Sequence, residues 1–195
     1  MEKKKYLKGF ANFGFAPVAE DTVTAYKAGE VTKLPGAISG APTDNRTEYT
    51  IYADDDIYDS GSEWKDTTLV VTIQEADAKN IAALTGAEYD ESTGELKEGT
   101  FDDAPVVATT FSALRSDFGY RLFRYPSCRC TGYKITHNTR GENNNAQAYE
   151  LTFKCSPRKI DHTIRETNDV DMGTPLTWLD TIPALPETPV VPQEG

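Results

Sequence analysis

The chain has 195 residues, 38% of them apolar, with 31 carboxylates against 20 Lys and Arg and a formal charge of −11. That length fits one body with appendages, and the apolar content is enough for one core and hardly for two. The net charge disfavours gripping a phosphate backbone, which needs an excess of Lys and Arg, and no run of about 18 apolar residues is present to span a bilayer as a helix.

Charge is distributed unevenly. Residues 54–103 carry fifteen carboxylates and three lysines, net −12, whereas residues 115–165 carry ten Lys/Arg and four acids, net +6. Oppositely charged bands on one body suit a subunit whose one face meets another face of its neighbour, a heterologous contact that builds rings or filaments.

In chain order, residues 1–36 mix lysines, glycines and aromatics (Phe10, Phe13, Phe15) without helical spacing, and end at the turn signal Leu34-Pro35-Gly36. They read as an N-terminal arm whose aromatics bury either in the parent core or in a neighbouring subunit. If the second holds, deleting residues 1–15 leaves a folded subunit that assembles poorly.

Thr47 to Ala53 alternates, with Tyr49 and Ile51 on one face, as a half-buried strand does. An acidic loop is expected over 54–66, including Asp54, Asp55, Asp56, Asp59 and Glu63. Leu69, Val71 and Ile73 then define a second strand. Between Glu75 and Thr85, Ala78, Ile81, Ala82 and Leu84 recur at helical spacing with Gly86 beyond them, predicting one short helix. A small charged hairpin follows around Ser92-Thr93-Gly94.

The second half predicts strands over 104–114, 120–125, 127–137 and 146–155, with a turn at 115–119, a break at Pro126 and a polar turn at 138–145. Gln147, Tyr149, Leu151, Phe153 and Cys155 share one face of the last strand and Ala146, Ala148, Glu150, Thr152 and Lys154 the other, one expected to meet the core and the other solvent or a partner. Beyond Pro157 the pattern dissolves, and residues 161–195 read as a Pro-rich C-terminal arm in which Trp178 is too costly to leave wet. The fold class expected is mainly β: a β-sandwich or partly closed barrel of two packed antiparallel sheets over residues 37–160, with one flanking helix and two extended arms.

Chemical signatures are sparse. Three cysteines cannot all pair within one chain, and the start at Met1-Glu2-Lys3 shows no signal peptide. Together these point to reduced thiols, with Cys128 and Cys130 serving as small apolar residues. The Cys128-Arg129-Cys130 spacing is poor for zinc. Tyr58 and Asp59 stand where an EF-hand starting at Asp54 needs an oxygen ligand and a glycine, although Asp54, Asp56, Asp59 and Glu63 leave another calcium geometry open. With only two histidines, no G-x-S-x-G elbow and no phosphate-binding glycine loop, no catalytic residue and no cofactor is assigned. A glycosidase carboxylate pair is not excluded by counting, but nothing singles out two acids.

The segments Leu34-Pro35-Gly36-Ala37, Glu48 to Asp55, Arg124-Tyr125-Pro126-Ser127-Cys128 and Tyr149 to Cys155 resemble the major tail proteins of long-tailed, non-contractile bacteriophages. The resemblance covers roughly residues 30–160 and carries no catalytic motif. It implies a tail-tube-like fold, six copies closing a ring, and rings stacking into the conduit for DNA ejection. It implies as partners the chain itself and the tape measure, tail terminator and distal tail proteins, with DNA as passing cargo, no membrane, and assembly in the bacterial host cytoplasm into a virion. Six copies at −11 each carry −66, a surface to which DNA does not stick, though the repulsion is screened beyond about 10 Å at 0.1 M salt. Asp54, Asp55, Asp56, Asp59 and Glu63 are then candidates for the lumen or for contacts between copies, and Phe10, Phe13, Phe15 and Trp178 for contacts made by the arms. The rival reading is a carbohydrate-binding adhesion module using its tyrosines and tryptophans as sugar platforms.

Overall fold

A computed structural model describes residues 6–135, 137 and 148–186. The chain is mainly β. Its first strand, β1 (Leu7–Asp21), is followed by two short strands, β2 (Tyr26–Ala28) and β3 (Thr32–Lys33), and by the long pair β4 (Ala37–Ala53) and β5 (Asp56–Ile73). One helix, α1 (Ala78–Thr85), and a small hairpin, β6 (Glu88–Asp90) with β7 (Glu95–Lys97), precede β8 (Val106–Arg115), β9 (Tyr120–Ile135), β10 (Tyr149–Cys155) and β11 (Glu166–Val170).

The strands apart from β6 and β7 form one antiparallel sheet in the order β2-β1-β8-β9-β10-β5-β4, with β3 added to β1 and β11 to β9. β1 and β10 are three positions apart, roughly 14 Å on a flat sheet. Yet the rings of Phe13 and Phe153 lie 6.0 Å apart, so the sheet curls over and packs on itself. The two layers expected from the sequence are thus halves of one curled sheet, a partly closed barrel. Leu69, Val71, Ile73, Leu151 and Phe153 are fully buried between them, the alternation the sequence prescribes. The root of β4 closes over β1, where Gly40 leaves room for the Phe10 ring; a Cβ there would meet ring carbons at 2.3 Å.

The helix starts later than its acidic lead-in predicts, because Asp77 is its cap: the carboxylate accepts from the Asn80 backbone N–H at 2.8 Å. Gly86 ends it at φ 80°. Ile81 and Leu84 bury against the core.

Two expectations change. Residues 7–21 are no arm: β1 pairs with β8 through most of its length. The hydrogen-bonding groups of such a strand are met only inside a sheet, and its Phe13 and Phe15 are buried at 0% and 3% exposure in the chain's own core. Nor does Pro126 break the strand it lies in. It falls at a ladder irregularity opposite β8, and at the junction where the other edge of β9 passes from β11, paired up to Arg124, to β10, paired from Cys128. A proline is tolerated where the ladder already lapses. The polar turn 138–145 and the start of the strand expected at 146 lie outside the described residues.

Candidate functional site: the acidic hairpin and the cations of the sheet

The sequence from Thr47 to Glu63 pairs as one hairpin, with a register shift between Ile51 and Tyr52. β4 and β5 run together from Ala37↔Ile73 to Ala53↔Asp56, so the segment 54–66 is the tip and returning strand of a hairpin, not a loop. Backbone pairing needs no apolar side chains, which is why an acidic, Ser- and Gly-containing stretch can still be a strand. Asp54 and Asp55 turn the chain with φ of 52° and 62°, the left-handed pair that a two-residue hairpin turn demands and that Asp tolerates.

From Asp44↔Thr67 outward the ribbon leaves the body, nine residue steps or about 30 Å. Its root is locked by polar contacts. The Asn45 amide donates to Asp66 Oδ1 at 2.5 Å and to Thr68 Oγ1 at 3.0 Å, the Thr67 hydroxyl donates to Asp44 Oδ1 at 2.6 Å, and Lys154 pairs with Asp66 at 3.1 Å. The Asn45 amide and Lys154 hold the Asp66 carboxyl below the usual carboxylate range.

Beyond the root both faces are wet. Tyr49 and Ile51, expected to meet a core, are 39% and 50% exposed, and Tyr52, Ile57 and Tyr58 reach 69%, 57% and 77%. Asp54, Asp55, Asp56, Asp59 and Glu63 are all exposed on the same ribbon. Asp59 accepts from the Tyr49 hydroxyl at 3.4 Å, and Asp56 Oδ1 accepts from the Ile57 N–H at 2.7 Å.

The aromatic candidates lie elsewhere. The Phe10 ring packs tilted against Phe111 at 5.1 Å and Phe13 at 6.3 Å, so the three N-terminal phenylalanines are spent within this chain. Trp178 lies in a single 3-10 turn, Thr177–Leu179, under the guanidinium of Arg124. The C-terminal segment therefore docks on its own sheet: Ile182 joins a second cluster with Tyr26, Ala16 and Ala108, and Tyr26 and Leu185 exchange backbone hydrogen bonds at 2.8 Å. No family model matches this chain. Nor does any curated protein.

The basic band is less open than its count implies. Arg124 and Arg121 stand directly opposite Glu166 and Asp169 on β11 and pair with them at 2.5 and 2.6 Å. Arg115 forks onto Asp117 at 3.0 and 2.5 Å, Arg158 onto Asp161 at 3.0 and 2.6 Å, and Arg129 reaches Asp103 at 3.3 Å and the carbonyl of Ala104. Asp117 and Asp161 are already among the four acids of that band, but Asp103, Glu166 and Asp169 lie outside it, where a running charge count does not associate them with it.

A cleft of about 370 Å³ opens at the hairpin root, lined by Asp44, Arg46, Trp64, Thr163, Ile164 and Arg165. Arg165 donates to the Tyr125 hydroxyl at 3.3 Å and approaches Asp44 at 4.0 Å. Arg46 donates one hydrogen bond among the described residues, to the Ser62 hydroxyl at 3.5 Å. The Trp64 indole N–H is buried without an acceptor there.

Cysteine placement also departs from expectation. Cys128 on β9 and Cys155 on β10 are direct cross-strand partners and form a disulfide, leaving Cys130 as the free, buried thiol. Spacing along the sequence could not show this, because the register of two strands 27 residues apart decides it. Among the described residues, no group of three His, Cys, Asp or Glu is arranged to hold a metal, and no helix is long and apolar enough to cross a membrane.

Proposed function

We propose that this chain is a structural subunit that assembles with copies of itself into rings and a tube, the role its resemblance to major tail proteins implies. The observation that carries the reading is the β4–β5 ribbon. An isolated two-stranded ribbon is marginal in water, and this one leaves the body by about 30 Å with five large apolar side chains and six carboxylates exposed. Such a surface is completed by a partner. Among the described residues its outer edge, β4, also has no neighbour beyond β5 in the sheet, and pairing between copies would cover hydrogen-bonding groups that otherwise invite aggregation.

On this reading, six copies close a ring, acids on the ribbon face neighbouring subunits or the lumen, and a negative wall lets DNA pass without adhering. Tape measure, terminator and distal tail proteins bind the ends of the tube. Nothing in the reading requires a catalytic residue.

Sedimentation and negative-stain microscopy of the purified chain test it. Hollow cylinders or discrete rings are expected, and Asp54, Asp55 and Asp56 changed together to Lys should abolish or mis-set them. A chain that stays single at high concentration and binds glycans overturns the proposal in favour of an adhesion module.

A further inference from the structure

We propose that the cleft at the hairpin root is the seat for the acidic hairpin tip of a second copy of this chain. This rests on the self-assembly reading above and names the surface that it leaves open.

Three observations converge. First, the tip presents Asp54, Asp55, Asp56 and Asp59 within six residues, all exposed. Four carboxylates so close repel one another and gain from any cation that approaches. Second, most arginines of the sheet are unavailable as that cation, being held by Glu166, Asp169, Asp117, Asp161 and Asp103. Arg46 has no carboxylate within ion-pair distance among the described residues, and its cleft neighbour Arg165 has only Asp44, at the 4.0 Å limit.

Third, the cleft has the size and lining for an anionic side chain with apolar flanks. About 370 Å³ is room for roughly a dozen waters. Trp64 and Ile164 supply apolar wall, Arg46 and Arg165 supply donors, and the one carboxylate in the lining, Asp44, stands 4.0 Å from Arg165. A tyrosine beside the carboxylates, Tyr52 or Tyr58, matches that wall.

The occupant is a second copy and not the same one. Arg46↔Trp64 lies seven residue steps from Ala53↔Asp56, about 24 Å along a paired ribbon, so a tip cannot fold back into its own root. Tip and seat are different surfaces of one chain, the arrangement that propagates from copy to copy.

Charge exchange tests this. One variant carries Arg46→Glu and Arg165→Glu; the other carries Asp54→Lys, Asp55→Lys and Asp56→Lys. Each alone should sediment as a single chain, and an equimolar mixture should regain the polymer, because every tip then meets a seat of opposite sign. Since Arg165 also contacts Tyr125, Arg46→Glu alone is the control for folding: it removes one 3.5 Å contact to Ser62 and should keep the wild-type melting curve while weakening assembly at least tenfold in concentration. Wild-type assembly of Arg46→Glu, or a mixture that stays single while the wild-type chain polymerises, overturns the seat and leaves the tube reading standing. Complementary variants that stop at a closed pair support the seat and overturn the tube. A wild-type chain that never associates overturns both.

Discussion

Arg124 lies over the ring of Trp178, its guanidinium carbon 3.9 Å from the ring centre. The same guanidinium donates to the Trp178 and Thr181 carbonyls at 2.7 and 2.6 Å and to Glu166 at 2.5 Å. One buried cation thus ties β9, β11 and the C-terminal segment together through stacking, carbonyl contacts and an ion pair.

Removing that cation leaves Glu166 half-paired and two carbonyls without their donor. Arg124→Ala should therefore cost about 3–5 kcal/mol, and should make the segment after Val170 cleavable by protease before the body unfolds. Denaturant titration and limited proteolysis read the two effects. A loss below 1 kcal/mol would mean that the segment is held by Ile182 and the Tyr26–Leu185 bridge alone.

Deleting residues 1–15 separates an arm from a strand. β1 pairs with β8 and contributes Phe13 and Phe15 to the core, so the deletion should abolish cooperative unfolding, not merely assembly. A deleted chain with a sharp melting transition would show that β1 is dispensable to the fold.

Gly86 closes the helix at φ 80°, and a Cβ added there would lie 2.3 Å from the Asp103 carbonyl oxygen. Backbone on backbone cannot yield as a side chain can. Gly86→Ala should cost roughly 1–3 kcal/mol, measured by thermal or denaturant unfolding, whereas Gly94→Ala, at similar φ but with open space around it, should cost less.

Acid should loosen the molecule in a defined window. The Arg115 fork lowers the Asp117 carboxyl to about 2, and the Arg158 fork holds Asp161 well below its ordinary range. A carboxyl whose pKa falls on folding contributes stability that is complete above its unfolded value, about 4. That contribution is lost as pH drops through the folded value. Melting temperatures of the wild-type chain and of Asp161→Asn should differ at pH 6 and converge toward pH 2. A difference that does not shrink with pH would separate the effect from ionisation.

Thiol labelling checks the cross-strand disulfide. Iodoacetamide should modify no cysteine in the native chain, one after denaturation without reductant, and three after reduction, counted by mass spectrometry. Three labels without reductant would return the chain to the fully reduced state that its odd cysteine count suggests.

The sequence showed most where side-chain pattern and burial coincide. Leu69-Val71-Ile73 and Leu151-Phe153-Cys155 alternate because one face of each strand is buried, and Ile81 and Leu84 repeat at helical spacing because α1 covers the core with one stripe. It showed least where pairing is carried by the backbone. β1 hides its periodicity behind register shifts between Lys8 and Gly14 and a left-handed Asn12 at φ 56°. The outer ribbon is a strand pair with no core to imprint a pattern on it. The cleft at its root joins residues 44–64 with 163–165, a juxtaposition decided by topology alone.

The pairing of β1 with β8 also constrains how the chain is made. Leu7 meets Arg115 and Pro17 meets Val107, so although β2 and β3 pair with β1 soon after it is made, the β8 edge of the first strand stays open until some ninety residues more have followed. At about 5–20 residues per second that is a wait of roughly 5–20 s, during which Phe10 lacks its Phe111 partner and Phe13 its Phe153 partner. Nascent-chain yield, and its dependence on holdase chaperones and on temperature, therefore hinges on the opening strand more than on any later one.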